Sequence, residues 1–250
     1  MITVLRPTWK KLFQFNPAFG LALILLFGIP RFIIVLQANV SGNYNLVPVI
    51  FINMMIAPVI LLTGEGRKSI GIKRANGIFP LLFSFTTGIM LCVMMFLVAK
   101  LVFDNSTSNW FVYISRSYNV PATGLTDRDR MIFFLIYAAI GMTFSPVGEE
   151  LFYRGIVHES FAGKYGEKKA SLIDSLAFAL THLAHFGIVY VSGAWSFLFF
   201  PALLWVIFMF MASRLFFFCR KSTGAITGAI LSHAGFNAAM MYFIFYHILK

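Results

Sequence analysis

Residues 79–102 read FPLLFSFTTGIMLCVMMFLVAKLV, with Lys100 as the one charged side chain. About 20 mostly apolar residues, rising about 1.5 Å each, make a helix that crosses the hydrocarbon core of a bilayer. This stretch decides the class of fold, because the chain repeats it. Six more apolar segments lie at roughly 18–37, 46–63, 131–148, 170–191, 195–213 and 223–249. The expected fold is all-α: a polytopic transmembrane helical bundle of seven spans, with an eighth helix if 150–165 lies along the interface. Pro30, Pro48, Pro58, Pro80 and Pro201 fall in these segments. Membrane helices tolerate them, since neighbours take up the freed backbone groups. Pro30 and Arg31 make the first span the least regular.

Composition agrees. The chain is 59% hydrophobic and 12% charged, where soluble domains carry about a quarter charged residues. An ordinary soluble domain is excluded. Cys92 and Cys219 lie in or beside apolar stretches and give neither a zinc spacing nor a disulfide framework. The run from Phe19 to Leu36 is long for a signal-peptide core and lacks a convincing cleavage site, so it is read as a retained first span.

A net charge of +11 would suit nucleic acid, but its placement argues otherwise. Lys and Arg cluster in the N-terminal tail (Arg6, Lys10, Lys11) and in the connections 64–76, 149–169 and 214–222. The connections 38–45 and 192–194 have none, and in 104–130, read as a long outer loop outside the membrane, Arg116, Arg128 and Arg130 are offset by Asp104, Asp127 and Asp129. Alternate connections are basic, as the positive-inside rule requires. The expected N-terminus is cytoplasmic, the partner is the lipid bilayer, and no nucleic acid is needed.

Ionisable groups at membrane depth are expensive and by default mark function. Three sets stand out. In Glu149-Glu150-Leu151-Phe152-Tyr153-Arg154, Glu150 and Arg154 are one helical turn apart. Arg154 can hold Glu150 and leave Glu149 free as a general base or acid. The alternative is a polar cluster that ends the fourth helix in cytosolic water. In the second set, Phe178 lies one turn before His182, and His185 follows. The two histidines could share a metal or simply bond a neighbouring helix. In the third, His233 and Asn237 lie one turn apart among small residues. They are either hydrogen-bond donors for an oxyanion or interhelical polar glue. Counting along the helices from the basic side puts all three sets at compatible depths, as if lining one cavity open to the cytoplasm.

The ordered set Glu-Glu-x-x-x-Arg, Phe-x-x-x-His and His-x-x-x-Asn resembles the CPBP family of CAAX proteases and bacteriocin-processing enzymes. The resemblance covers about 131–245, so 131–250 is read as the catalytic helical core and 1–130 as preceding transmembrane helices of the same membrane domain. It implies an intramembrane endopeptidase acting on a membrane-embedded or membrane-proximal peptide or protein, and a multi-pass protein of a bacterial cell membrane. Glu149 and His182 would activate water, His233 and Asn237 would stabilise the oxyanion, and Glu150, Arg154 and Phe178 would support them. The family has been read both as metalloproteases and as metal-free glutamate proteases. The favoured mechanism here requires no cofactor. Zinc on Glu149, His182 and His233 is the alternative. Two other classes compete: a non-catalytic scaffold or bacteriocin-immunity protein, and a small transporter, which the lack of repeated halves disfavours.

Overall fold

The computed structural model describes residues 4–118, 120 and 124–249. In chain order the helices are α1 (Pro7–Lys10), α2 (Pro17–Ser41), α3 (Val47–Leu61), α4 (Gly64–Ser69), α5 (Ile78–Phe103), α6 (Trp110–Ser115), α7 (Asp127–Glu149), α8 (His158–Thr181), α9 (Phe199–Thr223) and α10 (Ile226–Phe243). π-helical turns follow α7 (Glu150–Val157) and α10 (Ile244–Ile248). Five helical stretches are long and apolar enough to cross a membrane: Pro17–Ser41, Ile78–Phe103, Asp127–Ala184, Phe199–Thr223 and Ile226–Ile248. α3 is apolar but has 15 residues. The Asp127–Ala184 stretch is broken at Gly166, whose φ of 76° is open to glycine at little cost. Leu101 and Phe79 are more than four-fifths exposed on the outside of the bundle. Hydrocarbon accepts such a surface and water does not. The chain is an integral, helical membrane protein.

Local chemistry sets the helix ends. α2 starts at Asn16, whose side chain accepts from the Phe19 N–H at 3.1 Å, with Pro17 in the first helical position. It runs through Pro30 and stops at Gly42, which is left-handed at φ 69°. α7 opens with a reciprocal capping box between Thr126 and Asp129.

α10 packs along α5 by way of glycines. A Cβ on Gly88 would stand 1.8 Å from the Ser232 carbonyl oxygen, and one on Gly235 would stand 2.2 Å from that of Phe85. Gly88→Val must push the helices apart, and overpacking of this kind costs about 1–3 kcal/mol. The expected result is a lower thermal midpoint by tryptophan fluorescence, whereas Gly163→Ala, with open space around it, leaves the midpoint in place.

Three expectations need correction. The fifth apolar segment is not one helix to residue 191. α8 ends at Thr181, a single 3-10 turn covers His182–Ala184, and the chain enters an antiparallel hairpin, β1 (Ile188–Val191) with β2 (Ala194–Phe197). Hydropathy cannot separate strand from helix in so short a run. The β-branched residues of β1 and a two-residue turn with positive φ at Ser192 and Gly193 decide for the hairpin. α9 accordingly begins at Phe199 and reaches Thr223. Secondly, residues 150–165 do not form an interfacial helix, since every residue from Glu150 to Val157 is buried. Thirdly, the connection 104–130 is not wholly outside the bundle. α6 within it carries Trp110 and Phe111 into the core, where Trp110 packs near Phe186, Trp205 and Phe208. Residues 119 and 121–123 of that connection lie outside the described residues.

Candidate active site

The site forms where α7 passes into its π-helical turn. Such turns are rare and favour functional positions, because they shift side chains out of α-helical register. Glu149 and Glu150, the two residues at that junction, are both fully buried. Glu149 therefore does not end a helix in water, and the polar-cluster alternative fails. Arg154, counted above among the basic connections, is buried as well.

The two glutamates have different partners. Glu150 is flanked by Arg154, whose Nε lies 3.1 Å from its Oε2, and by His233, whose Nδ1 lies 2.8 Å from its Oε1. The Arg154 guanidinium lies over Phe178 at 4.3 Å and near Phe216 at 5.4 Å. The His233 ring stacks on Phe216 with centroids 4.7 Å apart. Glu149 accepts from the Ser145 hydroxyl at 2.9 Å, and its Oε2 stands 3.7 Å from His233 Nε2. Its Oε1 is 2.5 Å from Nη2 of Arg31, in the middle of α2.

His182 caps α8. Its Nδ1 donates to the Phe178 carbonyl at 2.7 Å, its ring packs on Phe178, and its own carbonyl accepts from the Trp205 indole at 2.9 Å. A carbonyl can only accept, so the neutral ring has its proton on Nδ1 and its lone pair on Nε2. That Nε2 faces Arg31 Nη2 at 3.5 Å, as does His185 Nε2. Asn237 donates to the Gly141 carbonyl at 2.8 Å, tying α10 to α7.

A cavity of about 190 Å³ lies among Arg31, Ser145, His182, His185, His233 and Asn237. A wider groove of about 640 Å³ shares Val47, Phe51, Gly141, Ser145 and His185 with it and runs between α3 and α7. The groove reaches Gly42–Asn45, the connection without Lys or Arg, rather than the basic connections. The expected cavity open to the basic side is thus corrected: the sites converge in mid-bundle and the groove leads the other way.

Of the sequence-derived catalytic candidates, His182, His233 and Asn237 line this cavity, and Glu149 lies beside it against Ser145 and His233; of the supporting residues Phe178 also lines it, while Glu150 and Arg154 lie behind. Sequence reasoning missed Arg31. It was noted only as an irregularity of the first span, although an arginine in an apolar helix is itself a costly feature that calls for a partner.

Zinc on Glu149, His182 and His233 was the alternative ligand set. Both histidines have Nδ1 engaged and Nε2 directed towards Glu149 and Arg31, a habit of metal ligands. The space between them, however, is taken by the Arg31 guanidinium. Among the described residues no group of three or more His, Cys, Asp or Glu side chains is arranged to hold a metal ion. As arranged, the residues do not fit one.

The site is thus a set of buried, paired glutamate and histidine side chains beside a cavity in a membrane bundle. Residues 131–239 match the family described as Type II CAAX prenyl endopeptidase Rce1-like. That segment is similar to this family of proteases, in agreement with the resemblance of its three motifs. Residues 1–130, including Arg31, lie outside the match. No curated protein and no solved structure gives a match.

Proposed function

We propose that this protein is an intramembrane endopeptidase that hydrolyses a peptide bond in a membrane-embedded or membrane-proximal peptide or protein. One observation carries the reading: His182, His233 and Asn237 line one cavity inside the bundle, and Glu149 lies directly beside it, against the lining residues Arg31, Ser145 and His233. Glu149 takes the proton of an attacking water while the His182 Nε2 lone pair orients that water. As the water oxygen bonds to the carbonyl carbon, the carbonyl oxygen becomes an oxyanion. His233 donates Nε2–H to it, and Asn237 donates its second amide hydrogen. Glu149 then passes its proton to the departing amine nitrogen. Glu150, Arg154 and Phe178 hold His233 and His182 in place.

The positive-inside pattern supports a cytoplasmic N-terminus. With seven crossings, α3 and the part of α8 after Gly166 would be the two short ones. The groove would then admit substrate from the opposite face or sideways between α3 and α7. Residues 1–130 and 131–250 act as one membrane domain, since Arg31 reaches the site from the first part. The match does not require a prenylated substrate.

The test is cleavage of candidate membrane peptides by the protein in nanodiscs. His182→Ala is expected to lower kcat about 100-fold or more with the elution profile of the folded protein unchanged. Cleavage that survives this substitution refutes the assignment, and a scaffold role would then be favoured.

A further inference from the structure

We propose that Arg31 is the built-in cation of this site: it positions Glu149 and fills the place that a divalent metal ion would need. Its catalytic consequence rests on the peptidase reading above, but its structural content does not.

The side chain is 1% exposed, on the apolar α2. Its Nη2 is 2.5 Å from Glu149 Oε1 and 3.5 Å from Nε2 of both His182 and His185. Nη1 donates to the Thr181 hydroxyl at 3.3 Å, and the guanidinium plane is 5.4 Å from the centre of the Phe51 ring. One nitrogen thus faces a carboxylate and two imidazole nitrogens, donor types that metals also use, though with the guanidinium among them they are not arranged as a metal site. Here the positive charge comes from the chain itself. A carboxylate buried at membrane depth needs a compensating charge. The guanidinium keeps its charge in any protein environment and holds its donors in a rigid fork. Thr181 and Phe51 fix that fork, and the fork fixes Glu149 Oε1, which leaves Oε2 directed to Ser145 and His233. A second cation among the same donors would stand against the guanidinium charge already there. Arg31 is therefore a positioning residue, and it also excludes metal.

Zinc counting after incubation of the full-length protein with zinc sulfate and desalting tests this without any substrate. Wild type and Arg31→Lys should retain less than about one zinc per ten chains. Arg31→Ala frees the donors and should gain about one per chain, and Arg31→Ala combined with His182→Ala should lose it again. Should Arg31→Ala misfold, Arg31→Met keeps the volume, removes the charge and should show the same gain. About one zinc per chain in wild type, lost on Glu149→Ala, overturns the proposal, as does a folded Arg31→Ala or Arg31→Met that gains none. In the cleavage assay Arg31→Ala should lower kcat about 100-fold with KM little changed, and Arg31→Lys should recover part of it. Equal loss in Lys and Ala overturns the positioning role. If wild type cleaves nothing, the peptidase reading fails, and the zinc counts still decide what Arg31 does.

Discussion

Glu149→Gln is expected to lower kcat for a membrane peptide about 1,000-fold or more, within the range that positioned general bases contribute. Gln keeps the volume and can still accept from Ser145 and Arg31, so the packing around it survives. It cannot take a proton from water. The control is size exclusion and a thermal melt, both expected near wild type. The control matters because Glu149 is also the counter-charge of Arg31. A variant that has lost activity only through unfolding says nothing about proton transfer. If folded Glu149→Gln cleaves at the wild-type rate, Glu149 is not the base, and the assignment of the two glutamates must be reversed or abandoned.

The second large effect is on stability. Arg154→Met is expected to destabilise the folded protein by about 3–5 kcal/mol, the usual cost of removing one partner from a buried ion pair. Glu150 would remain fully buried beside His233 without the guanidinium 3.1 Å away. Met recovers part of the contact with Phe178 and Phe216 but not the charge. The double substitution Arg154→Met with Glu150→Gln should cost clearly less than the sum of the two singles, because no charge is left unpaired. A double-mutant cycle on thermal midpoints in detergent measures this coupling. Additive single effects would show that Arg154 acts through packing alone.

These two predictions separate the adjacent glutamates by role: in the proposed mechanism Glu149 is the base, and Glu150 supports His233 from behind. That division was legible from spacing, since Glu150 and Arg154 are one turn apart and Glu149 points elsewhere. The contacts Phe178–His182 and Glu150–Arg154 were legible for the same reason, being one turn apart within a single stretch of helix. His233 and Asn237 also share a face, yet they are spent differently, one on Glu150 and one on Gly141. No spacing within α10 could have shown that.

What the residues settled by themselves is whatever depends on near neighbours and on solvent. Long apolar runs require a bilayer, and polar groups inside them require partners. Motifs at i,i+4 put pairs of side chains on common faces, and those pairs are found. What only the tertiary structure decided depends on which faces meet. Arg31 meets Glu149 across 118 positions of chain, and Glu150 meets His233 across 83. The hairpin at 188–197 and the inward turn of α6 replaced stretches that hydropathy read as membrane helix and outer loop. Apolarity measures the wish to leave water but not the shape or the partner chosen on leaving it. The cation in the site was therefore in plain view at position 31, and its meaning waited for α2 to be packed against α7 and α8.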